Sequence, residues 1–532
     1  MSNWDTKFFS ALFSLILVLA PAVASADVDT TPAQTTVAIH KLISKDGKTI
    51  ENLNGSSLTN EQLKNQLGDV EPMKGVKFQW FKVKDTDTAE SLSKLSLDQL
   101  KAAYSTTGIT SATDETGTTT FTVNKADYGL YWVVELAKDG SEASKEMQVT
   151  STVPMLITLP FGTESGYLDT VNVYPKNKVE TPTPGKDVST LGNNDSGTKV
   201  GDTVKWFLKG TIPVDIKNYT TYTFNDTLSQ ELDYSDVKGV KINGSTETFV
   251  LNTDYTVNYD QTSRKLTVAL TATGIAKVAK YREDNAGANF VGSDAIADAK
   301  DGAFVVVELD TVLNEKAVPG KAIENETTIT YDNPYNQDGK PKETPPSDRP
   351  ETHEGGKRFV KVDATNKTKK LEGAEFELYS DSNATQAVVW TQKMIDANKA
   401  TTDNAAKFKN VAVGQAVVLV SGTDGTFEIQ GLPYGAEGDK NDTASSTYYL
   451  KETKAPSGYT LPVNNVFSFE VNKASYFEDA TATDLVPSAA KEVENKKTPE
   501  LPMTGGIGAA LFIVAGLALM VFAGYKMKQR NA

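Results

Sequence analysis

Short alternating or β-branched runs recur along almost the whole chain, and they restrict it to an all-β fold. Thr36-Val37-Ala38-Ile39, Tyr131-Trp132-Val133-Val134, Leu266-Thr267-Val268-Ala269-Leu270 and Phe304-Val305-Val306-Val307 each sit between Gly, Asn or Asp turn signals. Helical periodicity is confined to 61–67 and 89–103, expected to decorate the first domain. Two proline-rich stretches interrupt the series: Thr181-Pro182-Thr183-Pro184-Gly185, and 340–356 with Pro341, Pro345, Pro346 and Pro350. Proline fixes φ, so both are read as stiff spacers. Domains are expected at 27–177, 186–340 and 357–497, with linkers at 178–185 and 341–356. Three modules in a row suit an elongated rod.

Lys7, the apolar stretch Phe8 to Val18 and Ala24-Ser25-Ala26 have the order of a secretory signal peptide over 1–26, which leaves a mature chain from Asp27 to Thr504. The formal net charge of -15, without a long basic run, argues against nucleic acid and against anionic lipid as partners. The chain contains no cysteine, so an exported protein of this kind is not stabilised by disulfides. No metal or cofactor is implied: no EF-hand, zinc or phosphate-loop spacing occurs, and the acidic loop 332–338 lacks an EF-hand pattern. His40 and His353, the only histidines, are far apart in sequence, and there is no cysteine nucleophile, so an enzyme is not expected.

The chain ends with Leu501-Pro502-Met503-Thr504-Gly505, then an apolar run over 507–525 that is long enough for a transmembrane segment, then a basic cytoplasmic tail over 526–532 with Lys526, Lys528 and Arg530. This order resembles a cell-wall sorting signal. The resemblance implies that a sortase recognises Leu501 and Pro502, cleaves between Thr504 and Gly505, and transfers the Thr504 acyl group to an amine. Val171-Asn172-Val173-Tyr174-Pro175-Lys176-Asn177 resembles the pilin motif of Gram-positive sortase-assembled pili, with Tyr167 where the family pattern opens on Trp. In that family the lysine after Tyr-Pro supplies the amine, which makes Lys176 the expected polymerisation acceptor.

The first and third domains share an early strand lysine (Lys41, Lys361), a Gly-x-x-Phe turn (Gly75 to Phe78, Gly373 to Phe376), Tyr-Gly (Tyr128-Gly129, Tyr434-Gly435) and a strand ending in glutamate (Glu135, Glu452). They resemble the collagen-adhesin B-type (CnaB) immunoglobulin-like β-sandwich, and Glu452 to Tyr459 resembles the pilin E-box. The middle domain lacks the glutamate strand and resembles the A-type (CnaA) relative. As a whole the chain resembles the major, or backbone, pilins of the Spa-type and of type 1 and type 2 fimbriae.

In that family a lysine and an asparagine on adjacent strands join through an isopeptide bond beside a buried carboxyl. The acid has a physical role. An exposed lysine is protonated and an exposed carboxyl ionised at pH 7, the wrong states for an amine to attack a polarised amide, and burial shifts both toward neutrality. The resemblance implies Lys361, Asn495 and Glu452 for the third domain and Lys186, Asn325 and Asp226 for the middle one, with Lys205 and Lys209 as alternative lysines. For the first domain it implies Lys41, Asn177 and Glu135.

The function implied is structural: a backbone subunit linked head to tail to identical subunits by a pilin-specific sortase and attached to peptidoglycan by a housekeeping sortase, with tip or base pilins as further partners. It resides in the cell wall as a surface pilus that supports adhesion and colonisation. The alternative is a monomeric LPxTG-anchored adhesin, or an ancillary tip or base pilin, that binds host matrix. Lys176 separates the two readings, because an anchored monomer need not accept a second subunit.

Overall fold

The computed structural model describes residues 30–44, 54–68, 70–136, 154–178, 180–333, 340–497 and 507–530. The expected signal peptide (1–26) and Leu501, Pro502, Thr504 and Gly505 lie outside these residues. The chain divides into two compact units. One comprises 1–196, 203–312 and 323–352; the other comprises 197–202, 313–322 and 353–532.

The first unit opens on a β-sandwich. Strand Gln34–His40 pairs in parallel with Thr170–Val173 and antiparallel with Thr118–Asn124. A second sheet runs Thr107–Ile109, Phe78–Val83, Gly129–Glu135, Met155–Leu159. Alternation puts Val37, Ile39, Phe121 and Val171 of the first sheet and Phe78, Tyr131, Val133 and Ile157 of the second into one core. The helix expected over 89–103 is two, Ala89–Ser93 and Leu97–Ala103. Ser96 accepts from Gln99 N and restarts the helix, because a serine hydroxyl offers the backbone a competing partner.

The same unit contains a second sandwich. Its sheets are Pro184–Val188, Thr203–Gly210, Val305–Leu313, Leu232–Ile242 and Tyr255–Asp260, Lys265–Leu270, Thr221–Thr227, Thr327–Asp332, Lys342–Glu343. A helix not anticipated from sequence, Ala272–Asp284, starts where the Thr271 side chain accepts from Gly274 N. A Cβ on Gly274 would lie 2.0 Å from Asp254 O, so glycine is required for that approach. The proline-rich segments also differ from free spacers. Pro184 begins a strand, Lys342–Glu343 pairs with Thr330 and Tyr331, and Asn325 N donates to Pro350 O at 3.1 Å. Proline keeps its carbonyl as an acceptor, so such a stretch can lie along a sheet edge.

In the other unit, Gly355–Asp363 lies between Thr426–Leu432 and Lys491–Asn495, and it is parallel to the latter. The facing sheet runs Phe408–Lys409, Val418–Val420, Glu375–Tyr379, Ser445–Lys454, Val466–Asn472. Phe359, Phe376, Phe427 and Phe469 fill the space between, Phe376 stacking on Phe427 at 4.8 Å. A separate helix, Ile507–Arg530, covers the C-terminal apolar run. Among the described residues no helix is long and apolar enough to cross a membrane.

Leu208 is fully buried on Thr203–Gly210, a strand paired on both sides. Leu208→Ala should destabilise the middle module by about 2–5 kcal/mol, seen as a lower urea midpoint. An unchanged midpoint would show that this layer is not core.

Candidate functional site

Each sandwich buries a lysine where two sheets face one another. In the C-terminal module Lys361 is on Gly355–Asp363, and Asn495 ends the parallel neighbour Lys491–Asn495. Glu452 comes from Ser445–Lys454 of the opposite sheet. All three are at most 2 % exposed. Lys361 Nζ donates to Glu452 Oε2 at 3.1 Å and to Asn495 Oδ1, while Asn495 Nδ2 donates to Glu452 Oε1 at 2.8 Å and to Thr460 O at 3.0 Å. The Phe376 and Phe467 rings lie 5.3 and 5.9 Å from Nζ. Burial lowers the Lys361 ammonium and raises the Glu452 carboxyl, each opposed by the partner's charge. The contacts place an amine nitrogen against an amide that a carboxyl also touches.

The middle module repeats the arrangement with an aspartate. Lys186 Nζ donates to Asp226 Oδ2 and, at 3.3 Å, to Glu326 O; Asn325 Nδ2 is 3.4 Å from the same Asp226 oxygen. The Trp206 ring is 5.2 Å from Lys186 Nζ. Burial again lowers the lysine and raises the acid. Of the alternative lysines, Lys205 is exposed, whereas Lys209 is fully buried and donates to Asp187 Oδ1 and Ala297 O at 2.7 Å each. Sequence reading missed Asp187 and also Asp348, whose Oδ1 accepts from Lys186 N at 2.9 Å. No local pattern marks either one, because their partners are 22 and 162 residues away.

In the first module Lys41 is fully buried and pairs with Glu135 Oε2 at 2.5 Å. Burial lowers the Lys41 ammonium against the pull of Glu135. Asn177 is on Lys176–Lys178, parallel to Leu42–Ser44 and opposite Ile43; its side chain lies outside the described residues. Lys176 precedes it, opposite Leu42. The Lys176 amine is buried with no hydrogen-bond partner among the described residues, and burial lowers its pKa.

Comparison with known proteins follows this geometry module by module. A family model for the N-terminal D1 domain of Gram-positive pilin subunits matches residues 32–178, and one for a Gram-positive pilin backbone subunit 2, Cna-B-like domain matches 200–303. A prealbumin-like fold domain matches 355–485, and an LPXTG cell wall anchor motif matches 493–530. The 35 kDa C-terminal fragment of a major pilin of Streptococcus agalactiae shares 34% identity over 59% of this chain and 100% of that fragment, with a TM-score of 0.54. The chain belongs to the Gram-positive major pilins. This pilin is also 24% identical to the fimbrial subunit type 2 of Actinomyces naeslundii, over 97% of its own length and 95% of that protein. Its middle module matches a B-type description, where sequence reading favoured the A-type relative. Pilins are structural subunits, and the anchor match places this one at the cell wall.

Burial outweighs the Lys209 ammonium and pushes the Asp187 carboxyl up to about 6. A carboxyl raised in the folded state contributes stability while protonated, below its ordinary value near 3.9, and that contribution is lost as pH rises through the folded value. Asp187→Asn should therefore flatten the pH dependence of the middle module's stability between about pH 4 and the folded value, measured as urea midpoints across that range. An unchanged slope would assign the dependence to another group.

Proposed function

We propose that this pilin is the backbone subunit of a covalent surface fibre and that Lys176 joins each subunit to the next. A pilin-specific sortase recognises Leu501 and Pro502, cleaves between Thr504 and Gly505, and passes the Thr504 acyl group to Lys176 of a neighbouring copy; a housekeeping sortase passes the last Thr504 to peptidoglycan. The observation that carries this reading is the Lys176 amine. It lies on the motif strand, desolvated and without a hydrogen-bond partner among the described residues. Loss of water disfavours the ammonium, and the neutral amine is the form that attacks an acyl group.

Within the same reading, the lysines inside the modules close amide bonds with their asparagines: Lys361 with Asn495, Lys186 with Asn325, and Lys41 with Asn177. In the C-terminal module the Lys361 Nζ lone pair attacks Asn495 Cγ while the protonated Glu452 donates to the amide oxygen. The Nζ–Cγ bond replaces Cγ–Nδ2, one amine proton passes to the departing nitrogen, and ammonia leaves with Glu452 restored. Asp226 and Glu135 hold the corresponding places. Each bond forms once per chain, which is maturation and not enzymatic turnover. Domains 27–177, 186–340 and 357–497 are the units so closed. Support comes from the burial of each lysine against an acid of the opposite sheet.

The mass of a recombinant 27–504 chain tests the internal bonds. It should fall short of the sequence mass by about 17 Da for each bond, one ammonia, and Glu452→Ala or Lys361→Ala should restore one such step. A wild-type mass equal to the sequence mass would overturn the bonds. For polymerisation, wall material released enzymatically and boiled in detergent should show a high-mass ladder in wild type that is lost in Lys176→Ala. A persistent ladder would move the acceptor elsewhere, and monomer alone in both, with the sortase expressed, would favour an anchored adhesin.

A further inference from the structure

His40 takes no part in the lysine trios, yet it makes three contacts around the motif strand. It ends Gln34–His40, which pairs in parallel with Thr170–Val173 up to Ile39 opposite Val173. The ladder is interrupted at Tyr174 and Pro175 and resumes with Lys176 opposite Leu42. The imidazole lies beside this interruption. It stacks on Tyr174 with centroids 4.7 Å apart and planes 16° from parallel. Its Nε2 is 2.9 Å from Asn172 Oδ1, and its Nδ1 is 3.0 Å from Thr118 Oγ1.

The neighbours define one tautomer. Asn172 Nδ2 donates to Gly55 O at 3.2 Å, which leaves Oδ1 facing His40 as an acceptor, so Nε2 bears the proton. Nδ1 is then the unprotonated nitrogen and accepts from the Thr118 hydroxyl, while Thr116 Oγ1 gives its one proton to Asp114 Oδ1 at 2.7 Å. Tyr174 is held at its far end by Leu58 N, which donates to the phenol oxygen at 2.6 Å. Among the described residues no hydrogen bond fixes the Lys176 amine, so its place depends on the backbone that carries it.

We propose that His40 is a positioning residue for subunit transfer: it clamps Asn172 and Tyr174 and so fixes the chain two residues before Lys176. The inference rests on Lys176 being the acceptor. Transfer requires the amine at near-attack distance from the acyl carbon, and a displacement of about 1 Å costs up to about 100-fold in rate.

The test uses the purified mature chain as acceptor, a pilin-class sortase, and a labelled Leu-Pro-Met-Thr-Gly peptide as donor. His40→Phe keeps the stack and loses both hydrogen bonds; it should lower kcat for labelling about tenfold with KM for the donor peptide unchanged. His40→Gln, whose amide can donate to Asn172, should recover part of that loss. Thr118→Val removes the Nδ1 contact from another strand without touching the neighbour of Lys41, and should lower kcat about threefold. Wild-type kcat in both His40→Phe and Thr118→Val, with Lys176→Ala inactive, would overturn the positioning role. Labelling of Lys176→Ala at the wild-type rate would instead overturn the acceptor assignment on which the proposal rests.

Discussion

The contact on which each sandwich turns is a lysine amine buried against a carboxyl of the opposite sheet. Taking two charges out of water costs several kcal/mol per ion, and their attraction returns that cost only with close geometry and further hydrogen bonds. In the C-terminal module those further bonds come from Asn495, which touches both the amine and the acid. The sheets must come together in one register for this to happen, because a slip of one residue would turn Lys361 to the other face. The trio and the register therefore depend on one another. Conversion of the contact to an amide would remove both charges.

Rigidity has a related origin. A closed loop between the first and last strands restricts the unfolded chain, as a disulfide does, and this chain contains no cysteine. In the C-terminal module the strands bearing Lys361 and Asn495 are adjacent and parallel. A bond there would carry tension from one end of the module to the other without loading the sheets between. Lys176 differs from the fully buried Lys41, Lys186, Lys209 and Lys361 in having no acid partner among its described contacts. Burial alone lowers the pKa of its amine, and that would suit the acceptor role proposed for it.

Much of the C-terminal module was legible because its signals are local. The Gly-x-x-Phe turn, the strand ending in Glu452 and the Val493-Glu494-Asn495 strand each occupy a few residues, and resemblance to the family pattern singled them out. The middle module was harder to read. Its helix Ala272–Asp284 has weak apolar patterning and relies on a close approach to Asp254 O. Asp187 and Lys209 resemble ordinary strand residues until pairing of Pro184–Val188 with Thr203–Gly210 brings them together.

Sequence by itself determined the β class, because the alternating runs recur along the chain, and resemblance to a family picked out the pilin motif and the sorting signal, since each is written in contiguous residues. It also marked the lysines, asparagines and acids through family pattern. Tertiary structure alone decided which of Lys186, Lys205 and Lys209 faces Asp226, that the proline-rich stretches lie along sheet edges, and that His40 braces the motif. Those outcomes depend on which strands pair and which face of each turns inward, and both are settled by packing between residues far apart in the chain.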